Sequence, residues 1–162
     1  MDDKMLIIDP EKCTACRKCE MVCSVLHTNA SNPSRSRIVV MKWDNIGMYL
    51  PMVCQNCEKP FCTEVCPAKA CQRDLKTYKV QIDKDKCIGC KTCVIACPFG
   101  HPSFDSVERV TVKCDFCNGD PQCVACCETK AIDYVDTDKA GINRRTEFAL
   151  QYNLLRGYVK RK

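Results

Sequence analysis

The chain has 162 residues, 18 of them cysteine, and a net charge of +5. Cysteine at that density means either a disulfide scaffold or thiolate-bound metal. The apolar complement is thin for an ordinary globular core, because a single Trp and five Phe accompany a 46% hydrophobic fraction that counts the cysteines. An interior so short of carbon is expected to need metal cofactors to organise it, and to fold poorly without them.

Met1-Asp2-Asp3-Lys4 places acidic residues where a secretion signal carries positive charge, and the Met5-Leu6-Ile7-Ile8 run is too short for a signal core. No stretch approaches the roughly 20 apolar residues of a membrane-spanning helix. These features predict a cytoplasmic, reducing setting, in which clustered thiols bind metal rather than pair.

The first quartet, Cys13, Cys16, Cys19 and Cys23, spells C-x2-C-x2-C-x3-C. Three cysteines at that interval let one tight turn wrap a corner of an Fe4S4 cube, with backbone N–H groups facing the sulfides. The fourth starts a helix and points away; in two-cluster ferredoxins it ligates the other cluster and a proline commonly follows it. Ser31-Asn32-Pro33-Ser34 reads as an uninformative loop, and Arg37–Trp43 as a strand rich in β-formers. The second quartet, Cys54, Cys57, Cys62 and Cys66, spells C-x2-C-x4-C-x3-C. Lys79–Ile82 reads as a strand entering the third quartet, Cys87, Cys90, Cys93 and Cys97, which repeats the spacing of the first. The fourth, Cys114, Cys117, Cys123 and Cys127, repeats the second with one extra residue, and Ile132–Val135 follows as a strand.

This is an internal repeat. Ile-Asp and Lys precede both the first and third quartets, and Lys-Ala follows both the second and fourth. Alignment on the last cysteine sets Cys71 opposite Ile132 and Cys126 opposite Val65. Those two are therefore read as non-ligands, small buried hydrophobes. Zinc competes with a cluster at each quartet, but zinc sites typically separate two C-x2-C knuckles by a longer loop. Pro67 and Pro98 follow the second and third quartets, whereas Ser24 and Glu128 follow the first and fourth. A zinc ion or an empty site is therefore expected, if anywhere, in that outer pair. The expected cofactors are three or four [4Fe–4S] clusters, with one zinc as the alternative occupant of a site. The fold class expected is α+β: duplicated bacterial ferredoxin-like modules organised around [4Fe–4S] clusters.

His27 and His101 lack metal-ligand spacing and read as loop residues, and Trp43 reads as packing. No catalytic residue is expected, since no nucleophile arrangement, phosphate loop or dinucleotide fingerprint occurs. Residues 1–141 form the expected polyferredoxin body. Residues 142–162 hold Arg144, Arg145, Arg156, Lys160, Arg161 and Lys162 against Glu147 alone. Phe148, Tyr152, Leu155 and Val159 recur there at helical spacing, from a candidate cap at Thr146 to Gly157. This predicts a basic C-terminal helix or arm that packs on the body or docks on a partner. Nucleic-acid binding is not expected, because no basic patch interleaved with aromatics accompanies it.

Two ferredoxin-type quartets alternating with two C-x2-C-x4/5-C-x3-C quartets resemble the four-cluster electron-transfer subunits of molybdenum and tungsten enzymes, the dimethyl-sulfoxide-reductase beta-subunit family. The resemblance covers about residues 5–135, with cysteine at all sixteen positions. It implies nested pairing: Cys54, Cys57, Cys62 and Cys97 at one cluster, and Cys87, Cys90, Cys93 and Cys66 at a second. Cys13, Cys16, Cys19 and Cys127 would hold a third, and Cys114, Cys117, Cys123 and Cys23 the fourth cluster or a zinc. Spacing alone leaves adjacent pairing open. In its compactness the chain is more similar to the small iron–sulfur subunits of tungsten-pterin oxidoreductases, such as class II benzoyl-CoA reductase. The implied role is a non-catalytic relay between a large tungsten- or molybdenum-pterin catalytic subunit and a further redox protein, in benzoyl-CoA reduction or aldehyde oxidation, without membrane insertion. A free-standing polyferredoxin and a zinc-binding structural module are the rival readings.

Overall fold

The computed structural model describes residues 4–74, 79–139, 141, 142 and 145. Among them, strands β1 (Lys4–Ile8), β2 (Ile38–Trp43), β3 (Met48–Val53), β4 (Cys71–Arg73), β5 (Val80–Ile82), β6 (Ser103–Asp105), β7 (Val110–Val112) and β8 (Ile132–Asp136) are interspersed with short helices, and residues 137–139 are helical after β8. Four helices carry or flank the quartets. These are α1 (Lys18–Thr28), α2 (Phe61–Glu64), α3 (Thr92–Ala96) and α4 (Gln122–Ala125). The expected strands at 37–43, 79–82 and 132–135 are present within a residue or so of their predicted limits. Most of the C-terminal arm, including Phe148, Tyr152, Leu155 and Val159, lies outside the described residues.

The strands form four two-stranded antiparallel sheets, β1 with β8, β2 with β3, β4 with β5, and β6 with β7. Two of these pairings repeat one another. The strand entering the first quartet meets the strand leaving the fourth, with Ile8 opposite Ile132. The strand entering the third meets the strand leaving the second, with Ile82 opposite Cys71. Even the flanking bonds match: Asp9 N–H donates to the Ala131 carbonyl at 2.9 Å, and Asp83 N–H to the Ala70 carbonyl at 2.8 Å. The hairpins β2–β3 and β6–β7 then deliver the chain to Cys54 and Cys114.

The helices follow the same plan. α1 packs against α4, and α2 against α3, so the first quartet sits with the fourth and the second with the third. Pro60 and Pro121 each stand at the N-cap of α2 and α4, where a missing N–H costs nothing. α1 is the long exception, running five residues past Cys23, whereas α3 stops before Cys97. Ser24 is thus buried inside a helix, where proline would break the backbone ladder. Its hydroxyl donates to the Met21 carbonyl at 2.8 Å and accepts the Asn32 N–H at 3.1 Å. The missing proline after Cys23 therefore has a helical cause, independent of the metal bound. The Ser31–Ser34 loop is also more than a spacer, because it ends in a 3-10 turn whose Arg35 pairs with buried Asp105 at 2.7 Å.

Candidate metal centres

Each C-x2-C-x2-C turn is built on left-handed residues. Ala15 and Arg17 (φ 55° and 60°) shape the first, and Gly89 and Lys91 (φ 67° and 61°) the third. Such residues curl successive N–H groups toward a common centre, a concavity suited to anions. Glycine is required only in the third turn: a Cβ at Gly89 would stand 2.5 Å from the Arg109 carbonyl oxygen. The second quartet has one left-handed residue in its opening turn, Asn56, where the fourth has three in succession, Phe116, Cys117 and Asn118. The extra residue of the fourth quartet thus comes with a differently wound backbone.

None of the eighteen cysteines forms a disulfide. Cys66, Cys87, Cys90 and Cys93 line one cavity together with Cys71 and Thr111. The Thr111 N–H donates to Cys87 Sγ at 3.4 Å, and the Thr111 hydroxyl is buried with no nitrogen or oxygen partner. That hydroxyl instead reaches the Cys93 thiol, so the cavity offers its polar hydrogens to sulfur, as suits a sulfur-bound group. Elsewhere the Arg37 N–H donates to Cys23 Sγ at 3.3 Å, and the Asn56 N–H to Cys54 Sγ at 3.5 Å. The residues present therefore fit a sulfide cluster.

Burial dominates the thiol chemistry. It pushes Cys19 and Cys114 up to about 12, and Cys54, Cys93, Cys117 and Cys123 upward too. These groups are neutral thiols near pH 7, and binding metal as thiolates would release their protons. Cys123, Cys117 and Cys114 all lie in the electrostatic reach of Cys23, and Cys93 in that of Cys62 and Cys66.

Cys71 is fully buried, and its thiol donates a hydrogen bond that draws Cys62 down while its own proton is held more tightly. Cys126 caps α4 where Val65 caps α2, and its Sγ contacts the Cys123 carbonyl at 3.5 Å. Cys71 likewise opens β4 where Ile132 opens β8.

Two expectations are corrected. His27 is in the last turn of α1 rather than a loop, with Nε2 3.9 Å from Cys117 Sγ and 3.7 Å from an Asp115 carboxylate oxygen. The ligand atoms of His27, Asp115 and Cys117 lie within 4.8 Å of one another, although Asp115 also holds Arg37 at 2.6 Å. Trp43 ends β2 at 38% exposure, so it does not pack in the core. His101 does lie outside regular structure, stacked on Phe99 with ring centroids 5.9 Å apart.

A 4Fe-4S dicluster domain matches residues 45–137, and a 4Fe-4S binding domain matches residues 6–25. The chain belongs to the 4Fe-4S dicluster-domain family. It is 38% identical to the polyferredoxin-like subunit of aliphatic sulfonate oxidoreductase from Pyrococcus furiosus, over 79% of this chain and 73% of that one. It is 32% identical to the B subunit of the anaerobic dimethyl sulfoxide reductase of Escherichia coli, over 82% and 73%. Among solved structures, the BamBC active-site complex of benzoyl coenzyme A reductase with 1,5-dienoyl-CoA matches at TM-score 0.50 and 26% identity, over 82% of this chain and 75% of that one. The dicluster-domain chain is an iron–sulfur electron-transfer subunit of the oxidoreductase type, with ferredoxin-like 4Fe-4S domains of mixed helix and strand. No helix among its described residues is long and apolar enough to cross a membrane.

Proposed function

We propose that the chain is a duplicated di-cluster module that relays single electrons, in the cytoplasm, between a tungsten- or molybdenum-pterin catalytic subunit and a second redox protein. Four [4Fe–4S] clusters would be held by Cys54, Cys57, Cys62 and Cys97; by Cys87, Cys90, Cys93 and Cys66; by Cys13, Cys16, Cys19 and Cys127; and by Cys114, Cys117, Cys123 and Cys23. The observation that carries this reading is the packing of α1 on α4 and of α2 on α3. It favours exchange of the fourth cysteine within an outer and an inner pair, over pairing of quartets adjacent in sequence. A cluster supplies one-electron chemistry when bound, at a potential tuned by sulfur hydrogen bonds, burial and charge. The chain's own part is to orient thiolates, supply N–H donors such as those of Thr111 and Arg37, and exclude water from buried sulfur. Cys71 and Cys126 serve as packing and as donors to their neighbours.

A second reading has zinc at the fourth site. It is supported by His27 beside Cys117 and by the three left-handed residues that rewind this quartet. Iron, zinc and acid-labile sulfide per chain, on anaerobically purified protein with whatever large subunit co-purifies, decide between them. Four clusters give about 16 iron and 16 sulfide; about 12 of each with one zinc gives the second reading. Zinc without sulfide would overturn both.

A further inference from the structure

Lys113 is 4% exposed, between β7 and Cys114. Its ammonium donates to Asn56 Oδ1 at 3.2 Å, within the Cys54-Gln55-Asn56-Cys57 turn. The N–H of the same Asn56 donates to Cys54 Sγ at 3.5 Å, so the ammonium is seated on the turn that presents that sulfur. Among the described residues no carboxylate pairs with Lys113. The neighbouring cations do find acids, Arg37 at Asp115 and Lys84 at Glu108. Taking an ammonium out of water without a counter-charge is costly. Its natural counter-charge here is the thiolate set of the second quartet.

The internal repeat makes the placement informative. Val53 precedes Cys54 as Lys113 precedes Cys114, at the end of the equivalent hairpin, and it is 2% exposed. An aliphatic side chain thus satisfies the fold at that position in one half. The lysine is there for its charge rather than for packing.

We infer that Lys113 sets a reduction potential: its buried ammonium makes the cluster of Cys54, Cys57, Cys62 and Cys97 easier to reduce than an aliphatic neighbour would. The inference rests on the ligand sets proposed above. Reduction adds one electron to a centre already anionic from its thiolates, and a fixed cation beside it favours the more negative form. The electron comes from the donor protein or a neighbouring cluster and leaves to the acceptor. No bond forms or breaks. Lys113 is a positioning residue whose effect is electrostatic.

The test is a redox titration followed by electron paramagnetic resonance on the anaerobically purified full chain, with iron and sulfide measured for every sample. The relevant signal is the one perturbed by Cys54→Ser. Lys113→Met and Lys113→Gln should lower its equilibrium constant for one-electron reduction tenfold or more, about 59 mV per tenfold, while Lys113→Arg holds it near wild type. Full iron and sulfide with an unmoved potential in Met and Gln would overturn the inference. So would an Arg variant that falls as far as Met. The Gln variant keeps a donor for Asn56 and covers a Met variant that fails to load. If both lose iron while Arg retains it, Lys113 retains the cluster instead of tuning it, and the inference fails. A wild-type chain with no cluster signal sensitive to Cys54→Ser would overturn the ligand sets themselves, which separates the two failures.

Discussion

The outer half, around the first and fourth quartets, and the inner half, around the second and third, share a strand–turn–helix frame but fill it differently. Besides cysteines, the outer core buries Leu6, Ile38, Val40, Val53, Phe116 and Ile132; the inner core buries Cys62, Cys71 and Cys93 with Val80 alone. Burial of full aliphatic and aromatic side chains contributes roughly 1.5–3 kcal/mol each, so the outer half has a driving force of its own. The inner cluster is mostly sulfur, with Val110 and Val112 of β7 buried outside either cluster. Frame geometry is thus no guide to stability: the half with the more regular ferredoxin features depends more on its cofactor.

Removing the metal gives the largest expected effect. Stripping iron with a chelator should unfold the inner half first, since metal binding free energy is folding free energy in such modules. Hydrogen exchange checks this. Protection at Val80 and Ile82 should vanish while protection at Leu6 and Tyr134 outlasts it. Simultaneous loss at all four amides would break the distinction between the halves.

Next comes the turn glycine. Gly89→Ala forces a Cβ onto the Arg109 carbonyl at 2.5 Å from a left-handed backbone. The dihedral costs about 1–2 kcal/mol and the overlap a further 1–3. Ala15 already occupies the equivalent left-handed position in the outer half, so Ala15→Gly should change stability by less than about 1 kcal/mol. Thermal midpoints of the two holo variants test the pair, and equal shifts would show that the turns are interchangeable.

The sixteen-cysteine pattern and three strands were legible because both signals are local: fixed short spacings, and runs of β-branched residues. The pairing of β4 with β5 and of β6 with β7 was not, because three-residue strands carry no periodicity. His27 and Cys117 are ninety residues apart, and nothing in the spacing around either announces the other. The missing proline at Ser24 is an ambiguous signal, because the length of α1 accounts for the residue without reference to metal. Lys113 was within reach: aligning the residue before each opening cysteine sets it against Val53, and a charge opposite an aliphatic residue in a repeat is a visible anomaly.

The same comparison across α1 and α3 isolates the smallest effect. Glu20 follows Cys19 as Val94 follows Cys93, yet Glu20 is 1% exposed. One carboxylate oxygen accepts the Val40 N–H at 2.6 Å, and the other accepts from Arg17 Nε at 2.6 Å. Glu20 therefore ties α1 to β2, a link for which the inner half has no counterpart at Val94. Glu20→Val keeps an apolar filler of the inner kind but leaves the buried Val40 N–H without its acceptor, at about 1–3 kcal/mol. The thermal midpoint should fall accordingly, and exchange at the Val40 amide should quicken while Val80 stays protected. Because no cysteine is touched, iron and sulfide should stay at wild-type levels. If iron is lost as well, the carboxylate supports the first quartet directly, and the outer half depends on its cofactor as closely as the inner one does.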